Sequence, residues 1–152
     1  MKILVIEDNK VHIDAATKQL TGHEITVVKS WKDMLGLSDF ILSREEHIKF
    51  FKGHDMVFTD INISGISDYN GETLNRDLKA YPPMGLWVIL RAIEFEIKYI
   101  ASLTDSNHHT DALTKSLNNF GANQPFYIGK SKVILSAVYP KDWKKMFDYM
   151  MI

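Results

Sequence analysis

Apolar and polar positions alternate along the chain in blocks, and the blocks predict elements. Residues 2–6 (KILVI), 24–28 (EITVV), 56–58 (MVF), 98–103 (KYIASL) and 126–128 (FYI) are short β-prone runs bounded by polar or turn-forming residues. Runs of this length without period-two alternation read as strands buried on both faces, as in a parallel sheet under helices. Between them lie helical patterns. Val11, Ala15, Ala16 and Leu20 share one helical face, and Gly22 follows as a stop. Residues 31–51 carry a stripe of Trp31, Met34, Leu35, Leu37 and Phe40, continued by Ile41, Leu42, Ile48, Phe50 and Phe51, in one long helix or two short ones. Residues 71–79 predict a helix stopped by Tyr81-Pro82-Pro83.

Residues 84–96 (MGLWVILRAIEFE) are apolar nearly all round; their length and their Ala, Leu and Glu content favour a helix, with Gly85 as a close-packing contact. A helix over 111–120 stops at Gly121, and residues 141–151 close the chain as an amphipathic helix with Trp143, Met146, Phe147 and Met150 inward. Residues 131–140 (SKVILSAVYP) are ambiguous, an extra strand being one reading. Strands alternating with helices predict a doubly wound α/β fold, with a five-stranded parallel sheet in a three-layer α/β/α arrangement.

Composition narrows the classes. At 152 residues, 45% hydrophobic and 24% charged, residues 1–152 suit a single globular domain with a full core. A net charge of -1 offers no basic footprint for nucleic acid and no basic amphipathic face for a membrane. The absence of cysteine excludes disulfides, thiol catalysis and cysteine-ligated zinc, and it fits a cytoplasmic location. The opening MKILVIEDN turns acidic too soon for a signal peptide, and no apolar run is long enough to span a bilayer.

The candidate chemistry sits at strand ends. In open α/β sheets ligands bind at the carboxyl edge. Asp60 closes the run in HDMVFTDINISG, and Glu7-Asp8 closes the first strand. Adjacent carboxylates repel, so solvent, a basic group or a cation must offset them. Thr104 ends the fourth run and Lys130 follows the fifth. Three carboxylates suit a hard cation such as Mg²⁺. Asp60 beside it can attack phosphorus and form an aspartyl phosphate. Lys130 would neutralise charge on the phosphoryl oxygens, and Thr104 would donate a hydrogen bond to one of them.

Taken as an ordered set, these motifs resemble a receiver domain of two-component response regulators, the CheY-like, flavodoxin-like fold. KILVIEDN is similar to that family's first strand and acidic pair, and DMVFTDINISG to its phosphoacceptor strand. IASLTD resembles the strand carrying the switch hydroxyl, and GANQPFYIGK the Gly-Ala turn, aromatic and Lys. The resemblance implies Asp60 as phosphoacceptor, and Glu7, Asp8, Asp60 and the backbone carbonyl of Asn62 as Mg²⁺ ligands. It implies Thr104 and Tyr127 as the switch pair, and Lys130 as the phosphate-contacting amine. The implied activity is autocatalytic phosphotransfer from a sensor histidine kinase or phosphotransfer protein, followed by slow self-dephosphorylation. No turnover enzyme is expected.

The chain also departs from the pattern. Ser64 and Ser131 stand where the family usually has Pro, and the interval from Gly121 to Lys130 is two residues longer than usual, with Lys132 the alternative amine. Asp105 replaces a small residue beside the switch Thr, where a carboxylate repels an incoming phosphoryl group or adds a metal ligand. Residues 81–96 form an insertion before the fourth strand. His108-His109 reads as a solvated or helix-capping pair rather than a metal site. The leading expectation is a stand-alone receiver acting through protein contacts, since no output domain fits in the remaining residues. The alternative is a phosphorylation-independent pseudo-receiver serving as an interaction module. A Mg²⁺-dependent phosphohydrolase ranks last, because the close Asp-x-Asp pair of the common aspartyl-phosphate hydrolases is missing.

Overall fold

The computed structural model describes residues 1–29, 50–63, 84–104, 124–137 and 140–152. Its strands are β1 (Lys2–Ile6), β2 (Glu24–Val28), β3 (Met56–Thr59), β4 (Tyr99–Thr104), β5 (Phe126–Ile128) and β6 (Ser131–Ala137). They form one sheet in the order β2-β1-β3-β4-β6-β5. Every pairing is parallel except β5 with β6. The described helices are α1 (Lys10–Gln19), α2 (Met84–Glu94) and α3 (Trp143–Met151).

The side-chain period of two divides each central strand between two cores. Leu4, Ile6, Val57, Ile100 and Val133 pack with Val88, Ile89 and Ala92 of α2. Ile3, Val5, Phe58, Ala101 and Ile134 pack on the other face with Ala16 and Leu20, and with Trp143, Met146, Phe147 and Met150. The four apolar residues expected on the inner face of the last helix are therefore all buried. The expected three-layer α/β/α arrangement and five parallel strands are present. In α1 the inward stripe is Ile13, Ala16 and Leu20, not the Val11 face, for Val11 is 71% exposed. Asn9 caps that helix by accepting from the Val11 amide at 2.9 Å.

The end of the sheet differs from expectation. Phe126–Ile128 is not the fifth parallel strand but an antiparallel edge strand, hairpinned to β6 through Gly129 at φ 57°. A parallel neighbour would need a long crossover, whereas only a two-residue turn separates β5 from β6. The fifth parallel strand is Ser131–Ala137, the run that was ambiguous in the sequence. Residues 84–94 are helical as expected: this helix, α2, lies between β3 and β4 in the chain, and Gly85, Val88, Ile89 and Ala92 bury its inner stripe. It ends in a Schellman cap: Glu96 at φ 55° donates to Ile93, and Ile97 donates to Ala92.

Of the stretch 31–51 only residues 50 and 51 are described, and they are helical. The helices expected over 71–79 and 111–120 lie outside the described residues, as do Ser64, Asp105 and His108-His109.

Gly85 is the close-packing contact that its place in an apolar helix suggests. A Cβ there would stand 1.9 Å from the Asp60 carbonyl oxygen and 2.6 Å from the Ile61 Cα. The Gly85 amide donates to the Ile61 carbonyl at 2.9 Å, so helix and loop touch backbone to backbone. Gly to Ala inside a helix ordinarily gains about 1 kcal/mol. Here overpacking reverses the sign: Gly85→Ala is expected to lose about 1–3 kcal/mol in denaturant unfolding, with amide chemical-shift changes centred on residues 60–62.

Candidate phosphoacceptor site

The parallel register brings three chain segments to one edge of the sheet. β1 runs into Glu7, whose amide donates to Val28 O at 3.0 Å, and β3 runs into Asp60, whose amide donates to Ile6 O at 2.9 Å. Both acids thus continue the ladder by one residue, and their side chains are held at the carboxyl ends of neighbouring strands. After β6 the chain returns through Pro140 to Lys141, immediately before the N-cap of α3.

Lys141 is the centre of the cluster. Its Nζ donates to Glu7 Oε2 at 2.5 Å and to Asp60 Oδ2 at 2.7 Å, with the Lys141 and Glu7 side chains fully buried and that of Asp60 7% exposed. The second oxygen of each acid is also engaged. Asp60 Oδ1 accepts from the amides of Ile61 at 2.6 Å and Asn62 at 3.3 Å, and Glu7 Oε1 accepts from Asn9 at 3.1 Å. Thr59 Oγ1 donates to the Asp60 carbonyl at 2.7 Å. Asp8 is half-buried, and the carboxylate oxygens of Glu7, Asp8 and Asp60 lie within 4.8 Å of one another.

Burial and charge act in opposite directions here. Desolvation raises the Glu7 pKa above the ordinary carboxyl value; Lys141 opposes this and Asp60 adds to it. For Lys141, desolvation would favour the neutral amine, but Asp60 and Glu7 outweigh it and raise its pKa. The ammonium therefore persists through the whole physiological range. Three carboxylates against one ammonium leave an excess of negative charge when all are ionised. A hard divalent cation with oxygen ligands fits that donor set.

Thr104 ends β4 fully buried, two residues beyond Ser102, which is in register with Thr59. It shares a sheet face with those two residues, at the edge that carries Asp60. Lys130 and Tyr127 are elsewhere. Tyr127 is in register with Lys132, and Lys132 with Tyr99 at the start of β4, so this pair lies at the amino edge of the sheet. Five residues of strand, about 16 Å, separate Tyr99 from Thr104. Tyr127 is 70% exposed, and Lys130 pairs with Glu96 at 2.8 Å on the surface. Lys132 is buried, but its Nζ donates to the carbonyls of Tyr149 and Met150 at the end of α3. None of the three serves the cluster, because the strand that feeds it is β6 rather than β5. Lys141 was missed for the same reason, although a lysine directly after the run KVILSAVYP was the available signal.

No protein-family model matches the chain, and no curated protein matches its sequence. Among solved structures it is similar to the N-terminal domain of a response regulator/sensory box/GGDEF 3-domain protein from Carboxydothermus hydrogenoformans. The TM-score is 0.51 at 11% identity, over 99% of this chain and 91% of that one. A Burkholderia pseudomallei response regulator with a phosphorylated aspartic acid gives 0.49 at 13% identity, over 98% of this chain and 65% of that one. The Thermotoga maritima response regulator TrrA, in complex with Mg²⁺-BeF, gives 0.49 at 19% identity, over 99% and 98%.

The cluster makes a test of pH and charge. Lys141→Met leaves two buried acids without their cation and is expected to cost about 3–5 kcal/mol near neutral pH. With its folded pKa raised, Glu7 contributes stability that is full below the unfolded carboxyl range and falls as pH rises through the raised value. Without Lys141 that pKa rises further, so the melting-temperature deficit of Lys141→Met is expected to narrow as pH falls from neutral toward the carboxyl range. Wild-type Lys141, also raised, contributes fully through neutrality and loses its contribution only above the ordinary lysine range. Lys130→Ala is expected to leave the melting temperature unchanged, since exposed pairs contribute little.

The doubly wound sheet, its layer order and its likeness to the Carboxydothermus domain agree: this chain has the fold of a response-regulator receiver domain.

Proposed function

We propose that the chain is a phosphorelay receiver in which Asp60 accepts a phosphoryl group. The observation that carries this reading is the buried contact of Lys141 with both Glu7 and Asp60, with Asp8 beside them at the carboxyl edge of the sheet. A structural ion pair needs one acid and one base. Two acids on one lysine, with a third carboxylate within 4.8 Å of them, suit a site that receives an anion together with a cation.

The residues divide the work. Amides of Ile61 and Asn62 hold Asp60 Oδ1 and so fix the carboxylate plane. Oδ2, presented toward Lys141, attacks the phosphorus of a phosphohistidine on a sensor histidine kinase or phosphotransfer protein. The Oδ2–P bond forms, the P–N bond breaks, and the histidine, already protonated on its other ring nitrogen, leaves as neutral imidazole. Lys141 then transfers its hydrogen bonds from carboxylate to phosphoryl oxygen, where preorganised charge has its largest effect. Glu7, Asp8, Asp60 and the Asn62 carbonyl would hold Mg²⁺, which when bound supplies positive charge to the phosphoryl oxygens. Thr104, buried at the end of β4, is the proposed switch hydroxyl. Among the described residues no helix is long and apolar enough to cross a membrane.

A second reading has an observation in its favour. Asp60 is 5% exposed and Lys141 occupies its outer oxygen. The same contacts suit a pseudo-receiver whose lysine never leaves and whose surface binds a partner without phosphorylation.

Incubation with acetyl phosphate and Mg²⁺, read by intact mass, separates the two. The receiver reading expects one phosphoryl adduct that disappears in Asp60→Asn and without Mg²⁺. It expects formation in Lys141→Met slower by about 100-fold, with Lys130→Ala unaffected. A folded, Mg²⁺-binding protein that takes no phosphoryl group is the pseudo-receiver.

A further inference from the structure

Lys141 is held in place from behind by a residue outside the acidic cluster. α3 begins two residues after the lysine, following the N-cap Asp142, and the first amides of a helix lack intrahelical partners. Asp142, the N-cap, satisfies the Lys145 amide through Oδ1 at 2.9 Å, and its carbonyl accepts from Met146 at 3.1 Å. The amides of Trp143 and Lys144 point elsewhere. Both donate to the side-chain oxygen of Gln19, at 2.7 and 3.3 Å. Two N–H donors on one atom require that atom to be the amide oxygen rather than the nitrogen. Gln19 is the last residue of α1, so one helix supplies the missing cap of another. Trp143 is fully buried, and its ring meets Phe58 of β3 edge-on at 5.7 Å, two residues before Asp60.

We infer that Gln19 is a positioning residue for Lys141: its amide oxygen fixes the start of α3 so that the preceding lysine reaches Glu7 and Asp60. Lys141 has a long flexible stem, and its ammonium reaches two acids only if its Cα is held. Asp142 and the first turn of α3 follow the lysine. On the outgoing side Asp142 satisfies only the third amide of the turn, while Gln19 satisfies the first and second. Without the Gln19 acceptor those two amides turn toward solvent and the turn frays. The lysine, one residue before the N-cap, then loses its fixed direction. The catalytic part of this inference rests on the receiver reading; the positioning part does not.

The test uses the full chain with Gln19→Met, which keeps the side-chain length and removes the acceptor. Gln19→Glu restores an acceptor to both amides and suits a helix N-terminus. Gln19→Asp, one methylene shorter, is a second loss variant. Phosphoryl-adduct formation from acetyl phosphate is followed at several donor concentrations and expressed per folded molecule. Gln19→Met is expected to slow the saturated rate by on the order of 10-fold to 100-fold, with little change in half-saturating donor concentration. Gln19→Asp is expected to be slowed as well, and Gln19→Glu to return to the wild-type rate. A helix cap that only stabilises would lower the melting temperature and leave the rate per folded molecule unchanged; that result overturns the inference. If the wild type forms no adduct, the receiver reading fails and a stability cycle decides this one. The melting-temperature loss of Gln19→Met is expected to shrink by more than half in a Lys141→Met background, and additive losses overturn the inference.

Discussion

A buried lysine ammonium that touches two carboxylates from different strands is the interaction on which the rest of the structure depends. Lys141 lies 134 residues from Glu7 and 81 from Asp60 in the chain, so the contact closes only when the parallel sheet is fully assembled. Each charge would be costly alone in that environment. Desolvation weakens Glu7 as an anion, and the two acids together keep Lys141 a cation. Groups in this balance hold each other by opposite charge in a buried setting. A phosphoryl group brings negative charge to the ammonium, and a divalent cation brings positive charge to the acids. The arrangement is therefore suited to exchange partners.

The surrounding fold holds the cluster from both faces of the sheet. Asp60 is fastened to β1 through the Ile6 carbonyl, and its backbone lies against Gly85 of α2 so closely that no side chain fits between them. On the other face Trp143 sets the start of α3 against Phe58, and Gln19 ties that start to α1. Among the described residues, α2 meets the strand bearing Asp60 at a backbone contact, and α3 adjoins the cluster at its capped start.

Much of this was legible in the sequence, and the misplaced lysine has a single origin. The buried runs ending in Glu7-Asp8 and Asp60 identified the carboxyl edge, because several acids at the ends of parallel strands gather at one edge of the sheet. Gly85 stood out as small in a helix apolar all round. The lysine is misplaced in the sequence because FYI before a Gly-Lys pair reads as a terminal strand, while KVILSAV carries no deciding signal. Pairing decides the matter: a two-residue turn forces FYI to run antiparallel, which sends Tyr127 and Lys130 to the opposite edge. The longer and more apolar run then takes the central place, and the lysine after it enters the site. Gln19 had no sequence signal, since a polar residue ending a helix has no visible partner 124 residues away.

The most direct test of the account is a structure of the chain with Mg²⁺ and beryllofluoride, a mimic of the phosphoryl group. The account predicts beryllium on Asp60 Oδ2, Mg²⁺ among the three acids, and Lys141 Nζ moved from the carboxylates to a fluoride. Beryllofluoride that does not bind to the Mg²⁺-loaded protein, or Lys141 still bridging Glu7 and Asp60 when it does, would contradict it.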